Sequence, residues 1–203
     1  MKVLEELKKI KKTWDDWNKG WKGIVIYSLL GVIIAFSVHQ GFGLILGTQL
    51  PIVTVSSGSM VPTLNVGDIV FIKGENTYQL GDIIVFKGWE PEPIIHRIVA
   101  YSNGTTVKKY DSWNELTDEK IKELAQGKEK IYITKGDHNP ACDQCGGRLP
   151  PTDSKIYGKS ILVVPYLGWV KILFVEYFIK DPVIGIAIVI ILGLGYWAYK
   201  KWM

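Results

Sequence analysis

Histidine and cysteine are scarce in this 203-residue chain, with three of the first and two of the second. Charge is absent altogether from Gly23 through Gly67, a stretch without Asp, Glu, Lys or Arg. A cleaved secretory signal would need an apolar region about twice the usual length to account for that stretch. A membrane span needs about 20 apolar residues, and Ile24–Leu46 supplies them. A net positive charge is missing from the middle: residues 51–159 sum to −1. The segment that reads as globular is therefore not basic, which argues against nucleic acid as a partner. Internal repeats and low-complexity tracts are also lacking, so repeat architectures drop out.

The excess positive charge sits at the two ends. Residues 1–22 carry a net +3 and Lys200-Lys201 adds +2. A second uncharged run, Pro182–Tyr199, is just long enough to span, although its Gly185, Gly193 and Gly195 also suit a buried C-terminal helix. Excess Lys and Arg at both ends predicts cytoplasmic termini and an extracytoplasmic middle in a multi-pass protein of the cell membrane. Val3, Leu7, Ile10, Trp14, Trp17 and Trp21 recur at helical spacing, which predicts a cytoplasmic amphipathic helix over residues 1–22 that lies on the bilayer.

Between the spans the chain reads as mainly β. Pro51–Val55, Ile69–Lys73, Asp82–Phe86, Ile94–Tyr101, Thr105–Tyr110, Ile131–Thr134 and Ile156–Val164 are short β-branched runs, many of them separated by Gly, Asn, Asp or Pro. That number of runs predicts a coiled, barrel-like sheet. Thr117–Gln126 reads as a helix, with Thr117 as N-cap, acids in the first turn and Gly127 as the stop. Leu116 and Ile121 sit at hydrophobic-staple positions. The expected organisation is an amphipathic helix over 1–22, a span over 23–47 and a β-rich domain over 48–164. That domain carries a helical surface insertion at 112–128. An aromatic interfacial segment at 165–181 and a span with basic tail at 182–203 complete it.

One serine stands out. Ser59 lies in Ser57-Gly58-Ser59-Met60-Val61-Pro62-Thr63-Leu64, just beyond the first apolar run. Gly58 frees the backbone before it and Pro62 restricts it after, which presents one hydroxyl in a fixed geometry. A serine nucleophile needs a base, either a neutral lysine or a histidine. His39 falls in the first span and His138 follows Asp137. His96 lies in the strand-like Ile94-Ile95-His96-Arg97-Ile98-Val99, where an isolated histidine is most often simply a core residue. An acid must then orient the imidazole. Lys135-Gly136-Asp137-His138-Asn139-Pro140-Ala141-Cys142-Asp143 offers Asp137 and Asp143, and spacing alone does not choose between them.

The Ser59 box, Gly81-Asp82-Ile83-Ile84-Val85-Phe86, the His96 box and the Asp137–Asp143 loop follow one another in an order that resembles type I signal peptidases. Histidine rather than lysine at position 96 resembles the archaeal and endoplasmic-reticulum members. That resemblance implies a membrane-bound serine endopeptidase that needs no cofactor and no metal. It would remove signal peptides after small residues at the outer membrane surface. It implies Ser59, His96 and Asp143 as the catalytic set, with Asp137 as a supporting carboxylate holding the loop or an arginine such as Arg97. Backbone N–H of Ser59 and the Ser57 hydroxyl would form the oxyanion hole. Expected partners are secretory precursors, the lipid bilayer and the translocation channel. The alternative is a non-catalytic membrane subunit or scaffold that presents precursors to a sister peptidase. Cys142 and Cys145 depart from the family pattern and bracket Asp143. Outside the membrane they can form a disulfide. Free thiols remain open, as does a metal site with His138, which would hold three ligands where structural zinc takes four.

Overall fold

A computed structural model describes residues 5–6, 20–125 and 130–202. The expected amphipathic helix over 1–22 lies outside the described residues, apart from Glu5, Glu6 and the start of the next helix. That helix, α1, runs over Gly20–Leu46, and its 27 residues exceed the length a bilayer core demands. Its apolar side chains face outward: Ile33 and Phe36 are 60% and 64% exposed.

The remainder is built on one antiparallel sheet of seven strands: β1 (Ile52–Thr54), β2 (Ile69–Lys73), β3 (Ile83–Phe86), β4 (Ile94–Ser102), β5 (Val107–Lys109), β6 (Ile131–Lys135) and β7 (Ile156–Val164). The strand order is β1-β2-β7-β3-β4-β5, with β6 on β4. β5 is shorter than Thr105–Tyr110 predicts. Asn103 Oδ1 takes the N–H groups of Thr105 and Thr106 at 3.2 and 2.8 Å, which turns the chain before the ladder begins.

β7 lies between β2 and β3, so a strand late in sequence joins two early ones. Register shifts at Phe71/Ile72, Val85/Phe86 and Ile98/Ala100 mark bulges, which bend strands and coil a sheet. Gly158 sits at such a place with φ +154°, and a Cβ there would overlap the Lys73 carbonyl of the neighbouring strand.

Buried side chains form three clusters. Met60, Leu64, Val70, Ile72, Val85 and Ile95 make the one that anchors the Ser59 turn. Tyr78, Ile84, Phe86, Ile98 and Tyr132 make the second. The third holds Val99, Ile131 and Ile133 together with Ile121 and Ala125 of α2 (Asp118–Ala125). The helical insertion is thus not only a surface feature: Ile121 is fully buried and packs with side chains of β4 and β6. Its cap follows the expected pattern, with Lys120 N–H donating to Thr117 Oγ1 at 3.3 Å. Gly127 lies outside the described residues.

After β7 come α3 (Trp169–Phe174), a π-helical turn (Val175–Lys180) and α4 (Pro182–Trp202). Val183 and Ile191 of α4 are 74% and 67% exposed, which does not fit a helix buried in the chain's own core. α1 and α4 are each long and apolar enough to cross a membrane.

Candidate active site

Ser59 opens the turn that follows β1. Met60 and Leu64 are almost wholly buried and pin the turn into the core, and Leu64 N–H donates to the Met60 carbonyl at 2.9 Å. Two apolar anchors around an exposed loop tip hold the hydroxyl at a defined place. The loop after β6 locks the turn from the other side, as His138 N–H donates to the Ser59 carbonyl at 2.8 Å. Gly136 permits that approach, since a Cβ on it would stand 2.6 Å from the same oxygen.

His96 lies in β4, opposite Ile84 of β3. It is 5% exposed, whereas His138 is exposed. Its Nε2 is 3.1 Å from Ser59 Oγ, and its Nδ1 is 2.7 Å from Asp143 Oδ2. Asp143 is 3% exposed. Thr134 Oγ1 donates to the same Oδ2 at 2.7 Å, and Asp143 N–H donates to the Thr134 carbonyl at 2.8 Å. Arg148 stands 3.9 Å from Asp143 Oδ1, and its guanidinium lies over the Trp89 ring at 4.0 Å.

Asp137 is turned the other way. Arg97 clamps it through Nε to Oδ1 at 2.8 Å and through a terminal nitrogen to Oδ2 at 2.6 Å. Thr63 Oγ1 donates to Oδ2 at 2.5 Å. Burial pushes the Asp137 carboxyl up, but hydrogen bonds from Arg97 and Thr63 outweigh it and hold the group below the ordinary carboxylate value. The clamp ties the Ser59 turn, β4 and the loop after β6 together.

Ser57 Oγ is 3.3 Å from Ser59 Oγ. No lysine partners Ser59 among the described residues: Lys73 pairs with Glu75 at 3.3 Å, and Lys87 is exposed. Cys142 and Cys145 are joined as a disulfide. In this form neither sulfur is a free thiolate, and His138 does not join the cysteine and carboxylate cluster.

Beside Ser59 runs a cleft of about 240 Å³ lined by Thr54, Ser57, Ile95, His96 and Arg148 among others. β1 pairs with β2 alone. β6 begins its pairing at Arg97, so among the described residues Ile94–His96 carry β3 on one edge and no strand on the other. Two open backbone edges therefore border the cleft.

Sequence reading missed Thr134, Thr63 and Arg148. Thr63 stands inside the quoted serine box and Thr134 directly precedes the Lys135-Gly136-Asp137 box, so adjacency was the available signal for both. Arg148 follows a Gly-Gly pair and carried no such signal.

A sequence model of the Peptidase S24-like family matches residues 34–134, which takes in Ser59 and His96 and stops short of Asp143. The signal peptidase complex catalytic subunit SEC11 of Komagataella phaffii is 32% identical over 149 residues, covering 70% of this chain and 77% of the relative. The SEC11 subunit of Ogataea parapolymorpha is 32% identical over 70% and 77% of the two chains. That of Neurospora crassa is 29% identical over 75% and 80%. Identity at this level across most of both chains places the protein in the family of SEC11-type signal peptidase catalytic subunits.

Proposed function

We propose that this chain removes signal peptides as a membrane-anchored serine endopeptidase, with Ser59 as nucleophile, His96 as base and Asp143 as the orienting acid. The observation that carries the proposal is the continuous run of contacts Ser59 Oγ–His96 Nε2 at 3.1 Å and His96 Nδ1–Asp143 Oδ2 at 2.7 Å. Asp143 holds the tautomer in which Nδ1 bears the proton and Nε2 is free to accept one. Ser59 gives its proton to Nε2 and attacks the carbonyl of the scissile peptide. The imidazolium, steadied by Asp143, then protonates the leaving amine, and water releases the acyl group.

The oxyanion is received by Ser59 N–H and the Ser57 hydroxyl, whose position beside Ser59 Oγ suits it. Removing one such donor costs on the order of 10²–10³ in rate. Asp137, held by Arg97 and Thr63, supports the frame. The substrate is an extended segment of a secretory precursor. The open edges of β1 and of Ile94–His96 support its addition as a strand in the cleft. Narrow walls such as Thr54 and Ile95 select small side chains by shape.

α1 and α4 anchor the enzyme in the bilayer with both termini in the cytoplasm, which the charge at the two ends supports. Enzyme and signal helix then share one plane, which shortens the search for the cleavage site. The relatives are named as subunits of a signal peptidase complex, and membrane partners, the translocation channel among them, belong to this proposal as well.

The test is incubation of detergent-solubilised protein with a precursor, with the cut read by mass spectrometry. Wild type should cut at one site after a small residue. Ser59→Ala and His96→Ala should each lose on the order of 10⁶ in kcat while staying folded. A wild-type chain that never cuts would favour the non-catalytic or scaffold alternative. Processing by Ser59→Ala at the wild-type rate would end the nucleophile assignment.

A further inference from the structure

Asp143 stands at the start of a tight turn, ahead of the 3-10 segment Gln144–Gly146. Its own N–H is fixed to β6 through the Thr134 carbonyl. The preceding N–H, that of Cys142, points elsewhere: it donates to Glu115 Oε2 at 2.5 Å. Glu115 belongs to the turn before α2, outside the serine, histidine and aspartate boxes. Its other oxygen is paired with the Lys135 ammonium, and that ammonium also donates to the Pro140 carbonyl at 3.2 Å. Lys135 lies opposite Arg97, the residue after His96, in the β4–β6 ladder. One carboxylate thus connects the Ala141–Cys142 peptide, directly before Asp143, to the strand pair that carries the base.

We propose that Glu115 is a positioning residue for the acid of this site, holding the Ala141–Cys142 peptide, and so the residue next to it, where the Asp143 carboxylate meets His96. The proposal rests on the assignment of Asp143 as that acid. Three features support it. A carboxylate on a peptide N–H is a charge-assisted bond, stronger than a neutral one. Burial pushes the Glu115 carboxyl up, yet the hydrogen bonds from Lys135 and Cys142 outweigh it and keep it below its usual value, so it is charged at neutral pH. The Cys142–Cys145 disulfide, whose Cys145 sulfur lies 3.6 Å from Glu115 Oε2, closes only a local ring, and sequence separation 3 does not fix that ring to the sheet. Glu115 does. It is not among the residues lining the cleft, so its loss should alter turnover and not substrate binding.

The experiment uses the full-length protein in detergent and a precursor substrate. Glu115→Ala should lower kcat on the order of ten- to a hundredfold, since misplacement of a catalytic group by about 1 Å carries that cost. KM should stay within about twofold, because uniform binding is untouched. Glu115→Gln keeps the acceptor and loses the ion pair, so its kcat should fall between the two. Glu123→Gln, on the outer face of α2, should behave as wild type. Should Glu115→Ala not fold, the isosteric Glu115→Gln decides alone. A fall in its kcat at constant KM supports the proposal, and wild-type turnover overturns it. A Glu115→Ala enzyme with wild-type kcat, or one whose loss appears in KM alone, also overturns it. Asp143→Asn separates the two levels. If Asp143→Asn is inactive and Glu115→Ala normal, only this inference falls. If Asp143→Asn cuts normally, the acid assignment falls first.

Discussion

Two aspartates six residues apart have opposite surroundings, and the difference comes from which way each side chain turns. Arg97 leaves β4 toward Asp137, so that carboxylate is consumed by a guanidinium and a threonine. His96 leaves the same strand toward Asp143. Spacing in the loop could not distinguish them, because the direction of a neighbouring strand's side chains decides the matter. Asp137 carries a prediction of its own. Its folded value is depressed, so its contribution to stability is present above the unfolded value of about 3.9 and is lost as pH falls through the folded one. In thermal melts, Asp137→Asn should be less stable than wild type at pH 7, and the two curves should converge as the pH falls below that value. A gap that stays constant through the acid range would show that the ion pair is not its source. The serine turn and His96, in contrast, were legible as candidates in the sequence: a glycine and a proline around one serine, and one histidine of three inside a strand pattern, mark residues that the structure brings within 3.1 Å.

At the scale of elements, α2 shows how far local pattern reaches. Thr117, Leu116 and Ile121 were readable as cap and staple, and the helix forms there. Its role was not readable. Val99, Ile131 and Ile133, which receive Ile121, are contributed by strands on either side of it in sequence. A short helix with one apolar stripe looks like a surface feature until those partners are in place. Ile121→Ala should therefore cost about 2–5 kcal/mol, the range for emptying a closed core site. Denaturant unfolding of the detergent-solubilised protein measures it, and a loss under about 0.5 kcal/mol, as at a surface position, would contradict the packing. The same limit applies to β7. Ile156–Val164 was legible as a strand to the residue, but a short run of apolar residues says nothing of where in a sheet it pairs. Non-local pairing is set by the closure of the whole sheet.

For the whole molecule, the uneven charge is the strongest guide to placement. The two apolar helices and the basic ends predict that tags fused to the N- and C-termini stay shielded from protease in right-side-out membrane vesicles, while Leu46–Pro165 is digested. A C-terminal tag cleaved in intact vesicles would mean that α4 does not cross. The strand order adds a consequence in time. Among the described residues β1 and β2, which lead into and out of the serine turn, share no strand pairing with β3 and β4, and β7 is the strand that pairs with both sets. During synthesis the chain must therefore be made through Val164 before the sheet that frames serine and histidine is complete. The last strand to be made is thus the keystone of the first four, and the frame around serine and histidine closes only with it.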